Sequence, residues 1–267
     1  MEITKITVQK KRKDRFNIFV DGAYAFPVSE AVLIKLGLTK GMQLTPERME
    51  EIESENSAYL AYTTAVDYLS YGLRSEKEVR TKLREQEIPE IYIEPALQRL
   101  RDQKYIDDLI YGESYTRTMM TINRKGPRVI AQELKQKGLD EPTIMTALDQ
   151  YPEDVQLENA LALAEKTLRK QSRVSSREGE QKTRFYLQQK GFDKEIIQRV
   201  FEEIETEKSE ADELDALRVQ GDKAWIRYAR KAEGRALVQK VRASLYQKGF
   251  ANELINTYIE EKELNDK

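Results

Sequence analysis

A helix-closing pattern recurs four times along this chain. The copies are Leu83-Arg-Glu-Gln-Glu-Ile88, Leu134-Lys-Gln-Lys-Gly-Leu139, Leu187-Gln-Gln-Lys-Gly-Phe192 and Leu245-Tyr-Gln-Lys-Gly-Phe250. Their leading leucines stand 51, 53 and 58 residues apart. A unit of that length buries its apolar faces by stacking on its neighbours, so the pattern predicts a repeat architecture rather than one enzyme core. The expected fold is mainly α: four tandem three-helix repeats forming an elongated array, with a small β-rich module at the N-terminus. Function is then expected in an extended surface.

The pattern has a physical basis. Glycine has no Cβ, so Gly138, Gly191 and Gly249 can take the left-handed conformation that ends a helix. With glycine just past the helix, the leading leucine meets the trailing apolar residue in a hydrophobic clasp. The first copy carries Glu87 instead, and Pro89 enforces the stop. Asp140 and Asp193 stand where an N-cap is wanted, with Asn252 one place later in the last copy, and Asp107 or Asp108 caps the helix after the first repeat. Beyond each clasp an i, i+4 apolar pair marks a packed helix: Ile93 and Leu97, Ile144 and Leu148, Ile197 and Phe201, Ile255 and Ile259.

Before the repeats, Ile3–Val8 and Arg15–Val20 alternate as strands do, and Asp21-Gly22 forms a tight turn into a third strand at Ala23–Phe26. Pro27 and Ser29 introduce a short helix over Glu30–Leu36, and Thr45-Pro46 opens a further helical turn. A separate helix over Ala58–Ser70 then begins the repeats. The predicted domains are a β-rich module over 1–57 and repeats over 58–107, 108–152, 153–208 and 209–267. The acidic stretch Glu202–Asp215 is the best candidate for a hinge.

The chain has 267 residues, no cysteine and no histidine. Disulfides, thiolate chemistry, zinc sites of the usual kind and the commonest general base are thereby excluded. No phosphate-cradling glycine loop is present. Carboxylate pairs such as Asp107-Asp108 and Glu202-Glu203 point in different directions on a helix and read as caps or solvated side chains. Neither catalytic residues, metal nor cofactor is expected. No apolar run approaches the roughly 20 residues of a membrane helix, and a cytoplasmic monomer without membrane contact is expected. Trp225 reads as packing.

The net charge of −2 hides a segregation. Basic side chains concentrate over Arg117–Lys137, Lys166–Lys190 and Lys223–Lys248, the second-helix regions of the last three repeats. Five or six residues before each leading leucine stand Lys77, Arg128, Lys182 and Lys240. Nine or ten before stand Arg74, Lys125 with Arg124, Arg177 and Arg235; three before stand Arg80, Arg184 and Arg242, with Ala131 breaking the series. Such spacings share a helix face. Several lie in first turns, where the helix dipole disfavours positive charge, so helix stability does not explain them. An anionic partner would. Stripes repeated along a stack suit a long polyanion or an acidic filament groove.

At these residues the chain resembles the RecX family, modulators of the RecA recombinase. The resemblance rests on Arg74-Ser-Glu-Lys-Glu-Val-Arg80, on Leu100-Arg-Asp-Gln-Lys-Tyr-Ile-Asp-Asp108, and above all on the segment from Ser114-Tyr-Thr-Arg117 through Arg124-Lys-Gly-Pro-Arg128 to Gly138. It covers most of residues 58–267, and the β-rich opening and fourth repeat are similar to the longer form of the family. The resemblance implies a non-catalytic regulator in DNA repair, recombination and the SOS response. Such a regulator lodges in the groove of RecA filaments on DNA and blocks growth or promotes disassembly. It thereby lowers recombinase, ATPase and repressor-cleavage activities. The basic residues would meet RecA, or DNA directly or through the filament. The competing expectation is a stand-alone nucleic-acid-binding helical repeat protein.

Overall fold

A computed structural model describes residues 1–10, 12–204 and 206–265. Two compact units emerge. One comprises Met1–Gly112 with Lys135–Thr143, the other Glu113–Leu134 with Ile144–Lys267.

The first unit opens with a three-stranded antiparallel sheet, β1 (Ile3–Val8), β2 (Arg15–Val20) and β3 (Ala23–Ser29), in the order β1-β2-β3. Asp21 and Gly22 have φ of 50° and 85°, the conformation a two-residue hairpin turn needs to follow strand twist. Strand β3 runs through Pro27, which the sequence assigns to a helix start. As an edge strand it tolerates the missing N–H. Ser29 then caps α1 (Glu30–Lys35), accepting from the Val32 amide.

Helix α2 (Pro46–Leu69) is continuous, whereas two helical segments are expected over this stretch. Thr45 caps it, Pro46 fills its first position, and no glycine or further proline interrupts it. Residue 57, the expected edge of the β-rich module, falls inside this helix. Asn56 binds β3 to it: Oδ1 accepts from the Ser29 amide at 2.9 Å and Nδ2 donates to the Pro27 carbonyl at 3.3 Å. The first repeat continues with α3 (Glu76–Glu85) and α4 (Glu90–Asp102), packed around Ala65, Val79, Leu83, Ile93, Leu97 and Leu100.

Later helices follow the same plan: α5 (Asp108–Thr121), α6 (Pro127–Gln136), α7 (Glu141–Leu148), α8 (Glu153–Lys170), α9 (Ser176–Gln189), α10 (Lys194–Glu203), α11 (Glu210–Ala229), α12 (Gly234–Gln247) and α13 (Asn252–Asn265). The clasps are backbone as well as side-chain contacts. The Ile88, Phe192 and Phe250 amides donate to the carbonyls of Leu83, Leu187 and Leu245, six residues spanned in each case. Glu87 adopts φ of 57° in the place of glycine. Asp140 caps as expected, through the Thr143 amide, and Asp107 accepts from the Leu109 and Ile110 amides. Asp193 occupies the N-cap position but makes no cap hydrogen bond, because its carboxylate faces Arg128. Asn252 is the first residue of α13 rather than its cap. Trp225 packs edge-on against Tyr258 in the last repeat.

The second helix of a repeat begins against the turn that ends the second helix of the next. Ser75, fully buried, donates to the Lys137 carbonyl at 2.7 Å. The Gly126 amide donates to the Lys190 carbonyl at 2.7 Å, and the Arg128 amide to the Gly191 carbonyl at 3.1 Å. Ser175, also fully buried, donates to the Lys248 carbonyl. In two of these junctions the first helical amide is capped by a carboxylate from the following repeat: Glu76 by Asp108, Ser176 by Glu213. In the third, Pro127 fills that position and has no amide to cap.

Within the first unit, Glu78 closes the Ser75 capping box and accepts from Lys137 Nζ at 2.6 Å. Burial alone would raise its carboxyl. The Lys137 ammonium and the Ser75 amide outweigh burial and hold it below its ordinary value of 4.5.

A Cβ added at Gly191 would stand 2.6 Å from the Val129 backbone nitrogen, on top of the strain of φ at 93°. Gly191→Ala is therefore expected to lower stability by more than about 2 kcal/mol. Glu87→Gly, which relieves an exposed left-handed residue, should raise it by roughly 1 kcal/mol. Urea unfolding of both variants measures the two signs. A depressed carboxyl stabilises above its unfolded value and loses that contribution as pH falls through its folded value. The stability advantage of the native chain over Glu78→Gln should thus be full near pH 7 and be lost as pH falls through the depressed folded-state value, below the ordinary 4.5. Paired unfolding curves across that range check it.

Candidate partner-binding surface

The twelve basic side chains singled out from the sequence lie in or just before α3, α6, α9 and α12. Those helices differ in length: α3 and α6 have 10 residues, α9 and α12 have 14. Counting from the helix start rather than from the closing leucine brings Lys77, Arg128, Arg177 and Arg235 to one structural position, the second helical residue. Lys182 and Lys240 stand further along their helices. The serine caps Ser75 and Ser175 are the sequence signal for this register.

Three of these equivalent residues sit at the junctions. Lys77 Nζ donates to the Gln136 carbonyl at 2.8 Å, and its Cβ leaves no room for a side chain at Gly138. Arg128 is ion-paired with Asp193. Arg177 lies against Gly249, where an added Cβ would stand 3.0 Å from its own, while its head is exposed. Arg235, in the fourth repeat, is exposed.

Five of the twelve are paired with carboxylates. Arg80 is enclosed by Glu76 at 3.0 Å, Glu94 at 2.6 Å and Glu90 at 3.5 Å, and Arg101 joins the same cluster through Glu76 and Glu94. Hydrogen bonds from Arg101 first, and from Arg80, hold the Glu94 carboxyl below its ordinary range. Lys125 pairs with Glu133 at 2.5 Å, Lys182 with Glu178 at 2.6 Å, Arg184 with Glu180 at 2.7 Å, and Arg128 with Asp193. Arg184 also stacks over Phe201, 4.0 Å from the ring centroid. Exposed pairs of this kind contribute about 0–1 kcal/mol each, and they reduce the charge offered outward.

The others have no acidic partner among the described residues. Arg74 lies over the Tyr68 ring at 4.8 Å, and Arg242 donates to Asn256 Oδ1 at 2.5 Å. Arg124, Arg177, Arg235 and Lys240 are exposed. Arg124 is held outward on a left-handed backbone, φ 48°, just before α6. These four are the cations best placed to meet an anionic surface.

The acidic stretch over 202–215, apart from Glu205, which lies outside the described residues, is anchored at Lys208. Its ammonium donates to the carbonyls of Gln171, Ser172 and Val174 at the end of α8, and its amide to Ser176 Oγ. Burial lowers its basicity. Among the described residues no group of three or more His, Cys, Asp or Glu side chains is placed to hold a metal ion, and no helix is long and apolar enough to cross a membrane.

Comparison with known proteins follows this architecture. The RecX N-terminal domain matches residues 1–45, the first three-helix domain of RecX 61–100 and the second 107–148. The third three-helix domain matches twice, over 154–201 and 210–259. The regulatory protein RecX of Oceanobacillus iheyensis is 39% identical over 265 residues, covering 97% of both chains. That of Bacillus velezensis is 38% identical, covering 98% of this chain and 99% of its own. A crystal structure of regulatory protein RecX superposes with a TM-score of 0.63 at 42% identity, over 76% of this chain and 99% of that one. RecX from Lactobacillus salivarius gives 0.54 at 40% identity, over 56% and 97%. A β-rich module followed by tandem three-helix repeats, matched over nearly its whole length, makes this chain a member of the RecX family of regulatory proteins.

Proposed function

We propose that this chain restrains RecA by binding its filaments on DNA, so that filament growth and the activities that depend on it fall. Membership of the RecX family supports a role as a regulator of RecA. The observation that carries the finer reading is the set of unpaired cations, Arg124, Arg177, Arg235 and Lys240, displayed at the second helices of successive repeats. None of them closes a junction by a side-chain ion pair, and none is needed to balance a neighbouring carboxylate among the described residues. Positive charge displayed at helix N-termini, as at Arg124, Arg177 and Arg235, costs helix stability and suits an acidic protein groove or a phosphate backbone. Function without a chemical step accords with a chain that has neither cysteine nor histidine.

Purified RecA on single-stranded DNA, titrated with this protein while ATP hydrolysis is followed, tests the reading. The native chain should depress hydrolysis. Charge reversal at Arg177, Arg235 and Lys240 together should raise the concentration needed by about tenfold or more, with circular dichroism unchanged. Full inhibition by the reversed variant would remove these residues from the interface. Tight binding of the native chain to naked DNA, with log K falling by about 0.7–0.9 per neutralised phosphate against log salt, would favour direct nucleic-acid binding instead.

A further inference from the structure

The first unit holds a cleft of about 590 Å³ between α1, the middle of α2, and α4. Alanine, valine and proline side chains make its floor, and Tyr59, Tyr62 and Tyr92 line it. Two cations stand at its rim, in different states. Lys35 is neutralised by Glu55, 2.5 Å away. Arg99 lies flat over the Tyr62 ring, 3.9 Å from the centroid, and has no acidic partner among the described residues. Stacking satisfies the guanidinium face but leaves its in-plane N–H donors without a protein acceptor among the described residues. Tyr62 is itself fixed, its hydroxyl donating to Gln103 Oε1 at 2.6 Å. The result is an apolar hollow walled by tyrosines, with one oriented guanidinium awaiting an acceptor.

Tyrosine and arginine are the side chains that dominate binding energy at protein interfaces, and holding them in place beforehand reduces the entropy lost on docking. A nucleic-acid strand suits the cleft poorly. The preceding turns of α2 carry Glu47, Glu50, Glu51 and Glu53, and a polyphosphate would be repelled along that helix. A protein segment bearing one carboxylate meets no such barrier.

We propose that this cleft receives a short segment of a protein partner, an apolar side chain entering between the tyrosines and a neighbouring carboxylate pairing with Arg99. Resting on the function proposed above, the segment belongs to a RecA protomer of the filament. The helix that follows the β-rich sheet thereby forms one wall of the partner surface.

The full-length chain and its variants, bound to immobilised RecA filaments on single-stranded DNA, supply the test, with naked single-stranded DNA as a parallel arm. Arg99→Glu should weaken filament binding by about tenfold or more, Arg99→Gln by less, and neither should change binding to naked DNA. Glu55→Gln, which frees Lys35 as a second cation, should tighten filament binding, a gain that a merely structural role would not produce. Filament binding by the native chain that neither Arg99 variant alters would overturn the cleft while leaving the function standing. A parallel loss on naked DNA would make the cleft a nucleic-acid site and overturn its assignment to protein. No filament binding by the native chain at all would overturn both.

Discussion

Each of the first three repeats is joined to the next by seating a helix start on a helix end. At the join the amides or hydroxyl at one N-terminus meet the carbonyls left over at another helix's C-terminus. Two sets of groups that would otherwise need water or caps satisfy one another. The exchange works only where two backbones approach closely. Val129 therefore lies on Gly191, Lys77 on Gly138, and Arg177 on Gly249. Burial of Ser75 and Ser175 follows from the same contact, since each hydroxyl is spent on a lysine carbonyl 62 or 73 residues away. The leucine cores stabilise each repeat; this exchange fixes how one follows another.

The chemistry of the joins also bears on the charged residues. Lys77 is engaged by a carbonyl and Arg128 by Asp193, so part of the repeated basic character belongs to the architecture. The equivalent residue of the fourth repeat, Arg235, is exposed and has no acidic partner among the described residues. Arg80 and Arg101 are held in a carboxylate cluster inside the first repeat. Outward positive charge is consequently concentrated at a few residues rather than spread evenly along each helix.

Much of this was legible in the chain. Short-range signals decided the helix ends and the hairpin: the leucine-to-apolar clasps, the Asp140 cap and the Asp21-Gly22 turn all depend on residues within six positions of one another. What escaped depends on distance or on length. The docking of α2 on the sheet rests on Asn56 reaching back to β3, a contact across 27 residues. Asp193 turns from its own helix to Arg128, far away in sequence. The register of the basic side chains was obscured because α9 and α12 are four residues longer than α3 and α6. Equal offsets from the leucine then fall on different turns. The tyrosine cleft gave no periodic signal, since its walls come from three helices separated in sequence.

Two glutamates depart from the repeated pattern. Glu87 puts a side chain on the turn that every later copy leaves bare, and Glu233 stands at the head of α12 where its counterparts are serine or glycine. The first turn therefore holds its left-handed kink with an ordinary side chain, at a conformational cost that glycine removes from the later ones.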